Sequence, residues 1–219
     1  MAKKQVGVVL SGCGVYDGAE IHEATLTLYF LDRAGAQAVC MAPNIPQHHV
    51  INHFTGALSD ESRNVLVESA RIARGNIRDL ATVKADTLDA IILPGGFGAA
   101  KNLSTLAFND GRNQVNGELA ALLQGMHALG KPIGAICISP AVLALALADR
   151  GVLLTIGNDA ETAGGIEATG NRHQESGADD IVVDPANKVV STAAYMCASG
   201  IGEAGAGIEK LVGQILAWS

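Results

Sequence analysis

Short apolar runs alternate with longer amphipathic segments along most of this chain. The runs are rich in β-branched residues, and most of them end at glycine, proline or cysteine, a pattern that predicts buried strands. The predicted strands are Gln5–Leu10, Ala36–Met41, Leu88–Leu93, Pro132–Ile136, Ile181–Val183 and Val189–Ser191. The last two strands flank a turn signal, Asp184-Pro185-Ala186-Asn187.

The amphipathic segments predict helices. In the first of them, apolar residues recur at helical spacing, with Gly35 as a stop signal just beyond. The predicted helices are Ala19–Arg33, Glu61–Arg74, Gln114–Leu129, Ser139–Leu147 and Gly202–Trp218. Strands that alternate with helices predict an α/β protein, a three-layer sandwich whose mainly parallel sheet is covered on both faces. We expect one domain, residues 1–219, with an insertion around residues 44–80, and the pattern assigns nothing to residues 151–180.

Composition and charge narrow the partners that this fold could have. Hydrophobic residues make up 48% of the chain and charged residues 17%, which excludes a disordered protein. The 15 Lys and Arg residues against 22 Asp and Glu give a net charge of −7, without any basic tract, so we expect neither nucleic acid nor a membrane as a partner. The four cysteines are widely spaced and form no CxxC pair, which fits a reducing compartment and predicts a cytoplasmic protein.

Cys137 carries the strongest single chemical signal. It lies between the predicted strand Pro132–Ile136 and a helix that begins near Ser139, and such a strand-to-helix turn presents a side chain at the end of a sheet. The helix N-terminus supplies partial positive charge and free N–H groups, which we expect to lower the thiol pKa and to favour a nucleophilic thiolate. The alternative is a structural cysteine, because free cysteine is among the most buried residue types.

Two further features fall at the same edge of the predicted sheet, where ligands of open α/β sheets bind. Pro94-Gly95-Gly96 follows a strand, and its glycines let backbone N–H groups approach a developing oxyanion. Glu23 begins an uncharged stretch of the first helix, where burial would raise its pKa and let it exchange a proton with a thiol. Glu20, one turn earlier, is the rival, and both could be the acidic residues that helix N-termini favour.

Two other patterns carry less weight. A loose GxGxxxG formed by Gly12, Gly14 and Gly18 raises a dinucleotide-binding alternative, but the second strand ends without the acidic residue that would hold a ribose. Three loop histidines lack acidic or cysteine partners for a metal, so we expect a solvated cluster: His48, His49 and His53. The sequence therefore predicts no metal and no cofactor.

Several longer motifs point to one family. The most specific are Ser11-Gly12-Cys13-Gly14-Val15-Tyr16-Asp17-Gly18, Pro94-Gly95-Gly96-Phe97-Gly98-Ala99-Ala100-Lys101-Asn102-Leu103 and Cys137-Ile138-Ser139-Pro140-Ala141. Ile21-His22-Glu23, Leu154-Thr155-Ile156-Gly157 and Asp179-Asp180-Ile181-Val182-Val183-Asp184 add to them. With these motifs, nearly the whole chain resembles the ThiJ/PfpI family of the class I glutamine amidotransferase-like superfamily. More narrowly, it resembles the bacterial ElbB group (enhancing lycopene biosynthesis proteins, described as glyoxalases).

The resemblance implies a flavodoxin-like fold and a role for each matching residue. The family nucleophile falls on Cys137 and its thiol-partner glutamate on Glu23, counted back from Arg33-Ala34-Gly35. The oxyanion donors would be the backbone N–H groups of Gly96, or Gly95, and of Ile138. The substrate-pocket candidates are Cys13, Tyr16, Asn102 and His173, of which the last is the only histidine after Cys137.

The resemblance also implies an activity. It is a cofactor-independent and glutathione-independent glyoxalase III-type lyase reaction that converts glyoxal, or a related α-oxoaldehyde, to the 2-hydroxy acid, and it can show as protein deglycase activity. Glutamine hydrolysis is not expected, because the catalytic His-x-Glu of class I amidotransferases is replaced here by Gly200-Ile201-Gly202-Glu203. The implied partners are a small aldehyde substrate and a second copy of the chain in a homodimer. Two alternatives stay open: a redox-sensing or thiol-protective protein, and a non-catalytic regulatory binding module.

Overall fold

A seven-stranded sheet organises the computed structural model, which describes residues 3–108 and 113–219. In spatial order its strands are β3 (Arg78–Asp79), β2 (Gln37–Ala42), β1 (Gln5–Val9), β4 (Ala90–Leu93), β5 (Ile133–Ile136), β9 (Val189–Thr192) and β8 (Val182–Asp184). Neighbouring strands run parallel, apart from the antiparallel edge pair of β8 and β9. Two predictions from the sequence are thereby confirmed: the sheet is mainly parallel, and a turn connects β8 to β9.

Alternate residues of the inner strands face two apolar layers, as the two-residue period of a strand requires. In β1, Val6 and Val8 pack into one layer and Val9 into the other. In β4, Ile92 joins the layer of Val6, while Ile91 joins the layer of Val9. Because both faces are covered, these strands appear in the sequence as continuous apolar runs.

Helices cover both faces of the sheet. On the Val6 side lie α1 (Ile21–Arg33), α2 (Val65–Ile72) and α7 (Ile201–Trp218). On the Val9 side lie α3 (Phe97–Lys101), α4 (Gly117–Ala128), α5 (Ser139–Ala146) and α6 (Ala160–Ala168). The predicted three-layer α/β architecture is confirmed. Across the described ranges, no helix is both long enough and apolar enough to span a bilayer.

Residues 151–180, to which the sequence pattern assigned nothing, form a small unit beside the main sheet. β6 (Leu153–Leu154) and β7 (Arg172–His173) pair in parallel, and α6 connects them. Asp159 caps α6 by accepting a hydrogen bond from the N–H of Thr162 (2.8 Å). Because Ile166 is the one buried residue of this helix, α6 has almost no apolar periodicity to reveal it in the sequence.

The segment predicted as an insertion divides into two parts. Its second part contains α2 and β3, and β3 extends the main sheet by pairing with β2. Val65, the first residue of α2, is fully buried in the layer of Val6. The excursion from the layered fold is therefore confined to residues 43–64, where Ile51 and Leu58 form an isolated antiparallel bridge.

The order of the strands places the predicted functional segments side by side. β1, β4 and β5 are adjacent and parallel, so their carboxyl ends meet at one edge of the sheet. The turns that follow them hold, respectively, residues 10–20, residues 94–96 and Cys137. This edge is where an open α/β sheet presents its ligand-binding crevice.

Candidate active site

Cys137 occupies a strained turn between β5 and α5. Its φ angle is 61°, in the left-handed region that residues other than glycine seldom adopt. Its N–H donates to the carbonyl oxygen of Thr192 (2.9 Å), which continues the pairing of β5 with β9 and holds the turn in place. The sharp reversal directs the side chain toward the edge of the sheet, as in the strand-to-helix turn predicted from the sequence.

Glu23 lies beside Cys137 with its carboxyl group fully buried. Oε2 accepts a hydrogen bond from the N–H of Gly95 (2.9 Å), and Oε1 accepts one from the N–H of Tyr195 (3.3 Å). The carboxyl also forms a hydrogen bond with the Cys137 thiol. Helix α1 orients it, because Glu20 accepts a hydrogen bond from the Glu23 N–H (2.7 Å) and caps the helix. The two glutamates thus take different roles, one in the cap and one in the site.

Burial raises the pKa of Glu23 to about 8, and the negative charge of Glu20 adds to the shift. The hydrogen bonds from Tyr195, Gly95 and Cys137 oppose it but do not outweigh the loss of water. At neutral pH most Glu23 side chains therefore carry a proton. A carboxyl group that changes charge near pH 8 is suited to accept and return protons under physiological conditions.

The Cys137 thiol does not have the lowered pKa that the helix N-terminus led us to expect. Burial and the neighbouring Glu23 charge raise its pKa well above the ordinary value, although the N–H groups of Gly96 and Ile138 act in the opposite direction. Helix-terminal charge is worth little against full desolvation of a thiolate. The resting state at neutral pH is therefore a neutral thiol beside a mostly protonated carboxyl.

Two backbone N–H groups face the sulfur atom. They belong to Gly96 and Ile138, and both favour the ionised form of Cys137. Gly95, the other predicted oxyanion donor, is different, because its N–H is already bound to the Glu23 carboxylate. Of the two glycines that the sequence left open as oxyanion donors, Gly95 orients the carboxyl through its N–H, while the N–H groups of Gly96 and Ile138 lie where an oxyanion could bind.

The two turns that build the site are fixed to each other by close contacts. The buried Ser139 hydroxyl donates to the carbonyl oxygen of Pro94 (2.7 Å). At Gly95 an added Cβ would lie 2.5 Å from the Cβ of Cys137 and 2.7 Å from the Oε2 of Glu23. Glycine is therefore required at position 95 because the thiol and the carboxyl pack directly against its backbone.

Replacing Gly95 with alanine is expected to disrupt the site. The new methyl group would force Cys137 and Glu23 apart, which we expect to cost about 1–3 kcal/mol of stability. A shift of the reacting groups by an ångström can lower activity about 100-fold. Chemical denaturation measures the loss of stability, and the rate of the reaction proposed below measures the loss of activity. Gly117→Ala is the matched control, since a Cβ there meets nothing within 4 Å, and equal behaviour of the two variants would refute this packing argument.

Of the four substrate-pocket candidates, Asn102 serves the fold in this structure. Asn102 is buried, its Nδ2 donates to the carbonyl oxygens of Ser11 (2.8 Å) and Asp17 (2.9 Å), and its Oδ1 accepts from the N–H of His48 (3.0 Å). Its side chain braces the loop after β1, and both N–H groups of its Nδ2 are used in doing so. Cys13 is half-buried. Burial raises the pKa of its thiol, and the negative charge of Glu68 in α2 adds to the shift.

The other two candidates, His173 and Tyr16, take part in contacts with neighbouring loops. His173 belongs to β7, where its Nε2 accepts a hydrogen bond from the N–H of Ile156 (3.3 Å), and within the described ranges it forms no hydrogen bond with Cys137. Tyr16 is 43% exposed and stacks on His53, with 4.9 Å between ring centroids. It lines a groove of about 260 Å³ together with Phe97 and Lys101. Neither candidate takes the place of the catalytic histidine of class I amidotransferases.

Tyr195 and His22 contribute to the site but were not selected from the sequence. The Tyr195 N–H holds the carboxyl of Glu23, and the Tyr195 hydroxyl forms a hydrogen bond with Nδ1 of His22 (2.8 Å). The only sequence signal was the position of His22 directly before Glu23. Tyr195 is far from both in sequence and gave none, because a backbone donor can belong to any residue type.

The loop histidines and the glycine motif have structural explanations. His48 packs against His49 and Phe108, with ring centroids 4.5 and 4.1 Å apart. Among the residues that the structure describes, no group of three or more His, Cys, Asp or Glu could hold a metal ion. At Gly18 an added Cβ would overlap the backbone of Gly12 and Cys13, so this glycine allows the loop after β1 to fold back on itself.

Comparison with known proteins places the site in a wider context. A sequence model described as the DJ-1/PfpI family matches residues 13–198. The human protein named glutamine amidotransferase-like class 1 domain-containing protein 3, mitochondrial, is 48% identical over 222 residues, covering 97% of this chain and 82% of the human protein. The rat ES1 protein homolog, mitochondrial, is 46% identical, covering 98% of this chain and 84% of the rat protein.

Solved structures agree with these relationships. The structure described as an isoprenoid biosynthesis protein with amidotransferase-like domain from Ehrlichia chaffeensis matches with a TM-score of 0.91 and 35% identity, covering 98% of this chain and all (100%) of that chain. Drosophila melanogaster DJ-1beta matches with a TM-score of 0.58 and 20% identity, covering 99% of this chain and 96% of that one. The second likeness concerns the fold alone.

The expectation of a cytoplasmic location is corrected by the same comparisons. The human and rat relatives, and an ES1 protein from Danio rerio that is 35% identical, are all named as mitochondrial proteins. Widely spaced free cysteines indicate a reducing environment, and such an environment is not unique to the cytoplasm. The cysteine pattern was therefore too coarse to assign a compartment.

Proposed function

This chain belongs to the DJ-1/PfpI family, and we propose that it is a cysteine-dependent enzyme that converts small α-oxoaldehydes such as glyoxal to 2-hydroxy acids. The observation that supports this proposal most strongly is the pairing of a buried, proton-accepting Glu23 with the Cys137 thiol, under the N–H groups of Gly96 and Ile138. Glyoxalases of the ElbB type, which the sequence resembles, would use these groups in the same roles.

The first step is addition of the thiol to the aldehyde. Glu23 in its carboxylate form accepts the Cys137 proton while the sulfur attacks the aldehyde carbon, and the carbonyl electron pair moves onto oxygen. The N–H groups of Gly96 and Ile138 stabilise this oxyanion. Return of the proton from Glu23 to the oxygen gives a neutral hemithioacetal. Because the raised pKa of Cys137 disfavours a free thiolate, proton transfer to Glu23 is an essential part of the attack.

The second step moves hydrogen between the two carbons of the substrate. The Glu23 carboxylate removes the C–H proton of the hemithioacetal, and the electron pair forms the double bond of an enediol while the second carbonyl oxygen takes a proton from water. Glu23 then gives its proton to the other carbon, and the O–H proton next to sulfur returns to water, which leaves a thioester of glycolic acid. Water hydrolyses the thioester, which releases glycolate and restores the thiol. The sum is glyoxal plus water to glycolic acid, with no external oxidant or reductant.

The rate of glycolate formation is expected to rise with pH through an apparent pKa near 8. Below that value Glu23 is protonated and cannot accept the thiol proton, and above it the carboxylate form is available. We expect kcat/KM to increase about 50- to 100-fold between pH 6 and pH 9. Glycolate can be quantified by proton NMR without glutathione, with an enzyme-free sample as the control at each pH. The absence of glycolate at every pH would refute the proposed activity.

A redox-sensing role is the second function to test, although one observation disfavours it. Peroxides react with thiolates, and burial holds the pKa of Cys137 well above its ordinary value. Intact-mass measurement after mild peroxide treatment separates the two functions. Oxidation of Cys137 at low peroxide, in a protein that converts no oxoaldehyde, would favour the redox role.

A further inference from the structure

Tyr195 lies in a short 3₁₀ helix, Ala194–Met196, that follows β9. Ala194 has a φ angle of 41°, in the left-handed region that residues other than glycine seldom adopt. The next two N–H groups after Tyr195 stay within this turn, because they donate to the carbonyl oxygens of Ala193 (2.9 Å) and Ala194 (3.0 Å). The Tyr195 N–H leaves the turn and donates to Oε1 of Glu23 (3.3 Å). A strained segment therefore supplies one of the donors that hold the buried carboxyl group.

The side chain of Tyr195 is tied to helix α1. Its hydroxyl forms a hydrogen bond with Nδ1 of His22 (2.8 Å), and the two rings are tilted against each other with 5.8 Å between their centroids. His22 directly precedes Glu23 in the chain. Among the residues that the structure describes, two hydrogen bonds join the segment Ala194–Met196 to α1, and both belong to Tyr195. The tyrosine thus holds two adjacent residues of α1, one through its hydroxyl and one through its backbone.

The Tyr195 N–H makes the longer of the two backbone hydrogen bonds to Glu23, at 3.3 Å against 2.9 Å for the N–H of Gly95. A hydrogen bond at this length is lost when the donor moves a few tenths of an ångström further away. We propose that the hydrogen bond between His22 and Tyr195 is a positioning device, which keeps the Tyr195 N–H within reach of the Glu23 carboxyl. This inference rests on the proposed function, in which Glu23 is the base, and adds two positioning residues to it.

The positioning device has a measurable consequence for Glu23. The Tyr195 N–H stabilises the carboxylate and so opposes the rise of the Glu23 pKa to about 8. Loss of this hydrogen bond should therefore raise the pKa further, whereas entry of water would lower it. The other titratable groups around the carboxyl are Cys137 after β5 and Glu20 on α1.

The tie between the two rings does not depend on their charge. Burial and the two glutamate charges raise the pKa of Tyr195, so its hydroxyl keeps its proton below about pH 10. A hydroxyl can donate to a neutral imidazole or accept from a protonated one, so the hydrogen bond persists in either state of His22. The pair therefore acts on Glu23 through geometry.

Four single variants test this inference. Tyr195→Phe removes the hydroxyl, and His22→Leu removes the imidazole, whereas His22→Asn keeps a hydrogen-bonding atom near the position of Nδ1. Tyr29→Phe is the matched control, since this tyrosine lies on the same helix and is 53% exposed. His22 is also exposed, so its variants should fold and can carry the test if Tyr195→Phe unfolds early.

The test measures how fast iodoacetamide alkylates Cys137 between pH 6 and pH 10, followed by peptide mass spectrometry. Tyr195→Phe and His22→Leu are each expected to raise the apparent pKa of alkylation by about 0.5 to 1. The double variant should shift no further than either single variant, because both substitutions remove the same hydrogen bond. His22→Asn and Tyr29→Phe should match the wild type. An unchanged or lower pKa in Tyr195→Phe and His22→Leu, or additive shifts in the double variant, would overturn the proposal.

Glycolate formation separates this proposal from the proposed function. In an active enzyme, kcat/KM of Tyr195→Phe and His22→Leu should fall about three- to tenfold at pH 7 and approach the wild-type value at pH 9.5. Alkylation requires no turnover, so shifted alkylation profiles in a protein that makes no glycolate would retain the positioning role while the activity fails. Glycolate formation with wild-type pH profiles in both variants would overturn the positioning role and leave the activity intact.

Discussion

Cys137→Ser is expected to lower conversion of glyoxal to glycolate by about 1000-fold or more. A hydroxyl group is smaller than a thiol and fits the left-handed turn, but Glu23 with a pKa of about 8 cannot deprotonate it during attack. Because the substitution changes one atom, we expect the fold to be retained. The measurement is glycolate formation at pH 8.5, with thermal unfolding to check that the variant is intact.

Cys197→Ser is the matched control for this prediction. Cys197 is half-exposed and its sulfur forms a hydrogen bond with Asn158 (3.6 Å), a contact that serine can replace. This variant should retain wild-type turnover. If Cys137→Ser kept more than about a tenth of the activity, the reaction would not proceed through a hemithioacetal at this residue, and the mechanism would have to be abandoned.

Glu23→Gln is the second large effect that we expect. Glutamine has nearly the same shape but cannot accept the thiol proton, and its amide leaves one of the N–H groups of Gly95 and Tyr195 facing a donor. Loss of general base catalysis should lower kcat/KM about 100- to 10,000-fold at pH 8.5. The rise in rate near pH 8 should also be absent in this variant, because it lacks the titrating carboxyl group.

Glu20→Gln distinguishes this role from a general effect of charge. Glu20 caps α1 through one oxygen, which glutamine keeps, and its negative charge helps to raise the pKa of Glu23. Removing that charge is expected to shift the pH profile toward lower pH while the maximal rate stays near that of the wild type. Equal losses in Glu20→Gln and Glu23→Gln would show that neither glutamate has the specific role assigned here.

The main sheet could be predicted from the sequence because its strands are buried on both faces. Runs such as those of β1 and β4 have no polar alternation, and glycine or proline marks their ends. The edge strand β3 was missed because it has two residues and is half-exposed. α3 was also missed, since a helix of five residues after two glycines has no periodicity to detect.

The residues of the candidate site could be predicted from the sequence, but the direction of the pKa shift of Cys137 could not. The turn at Cys137 and the adjacent glycines are local features, so the sequence showed them. The raised pKa of Cys137 depends on complete burial and on the charge of Glu23, which is 114 positions away along the chain. The hydrogen bond from the Gly95 N–H to Glu23 is likewise a tertiary contact, and no sequence pattern distinguishes Gly95 from Gly96, whose N–H acts on the Cys137 thiol.

The rate at which iodoacetamide alkylates Cys137 as a function of pH tests the central claim, that Glu23 governs the reactivity of this thiol. Peptide mass spectrometry can follow Cys137 separately from the other three cysteines between pH 6 and pH 10. The wild-type rate should rise through an apparent pKa near 8, and in Glu23→Gln that rise should be replaced by ionisation of the thiol at higher pH. Superimposable profiles for the two proteins would contradict the claim.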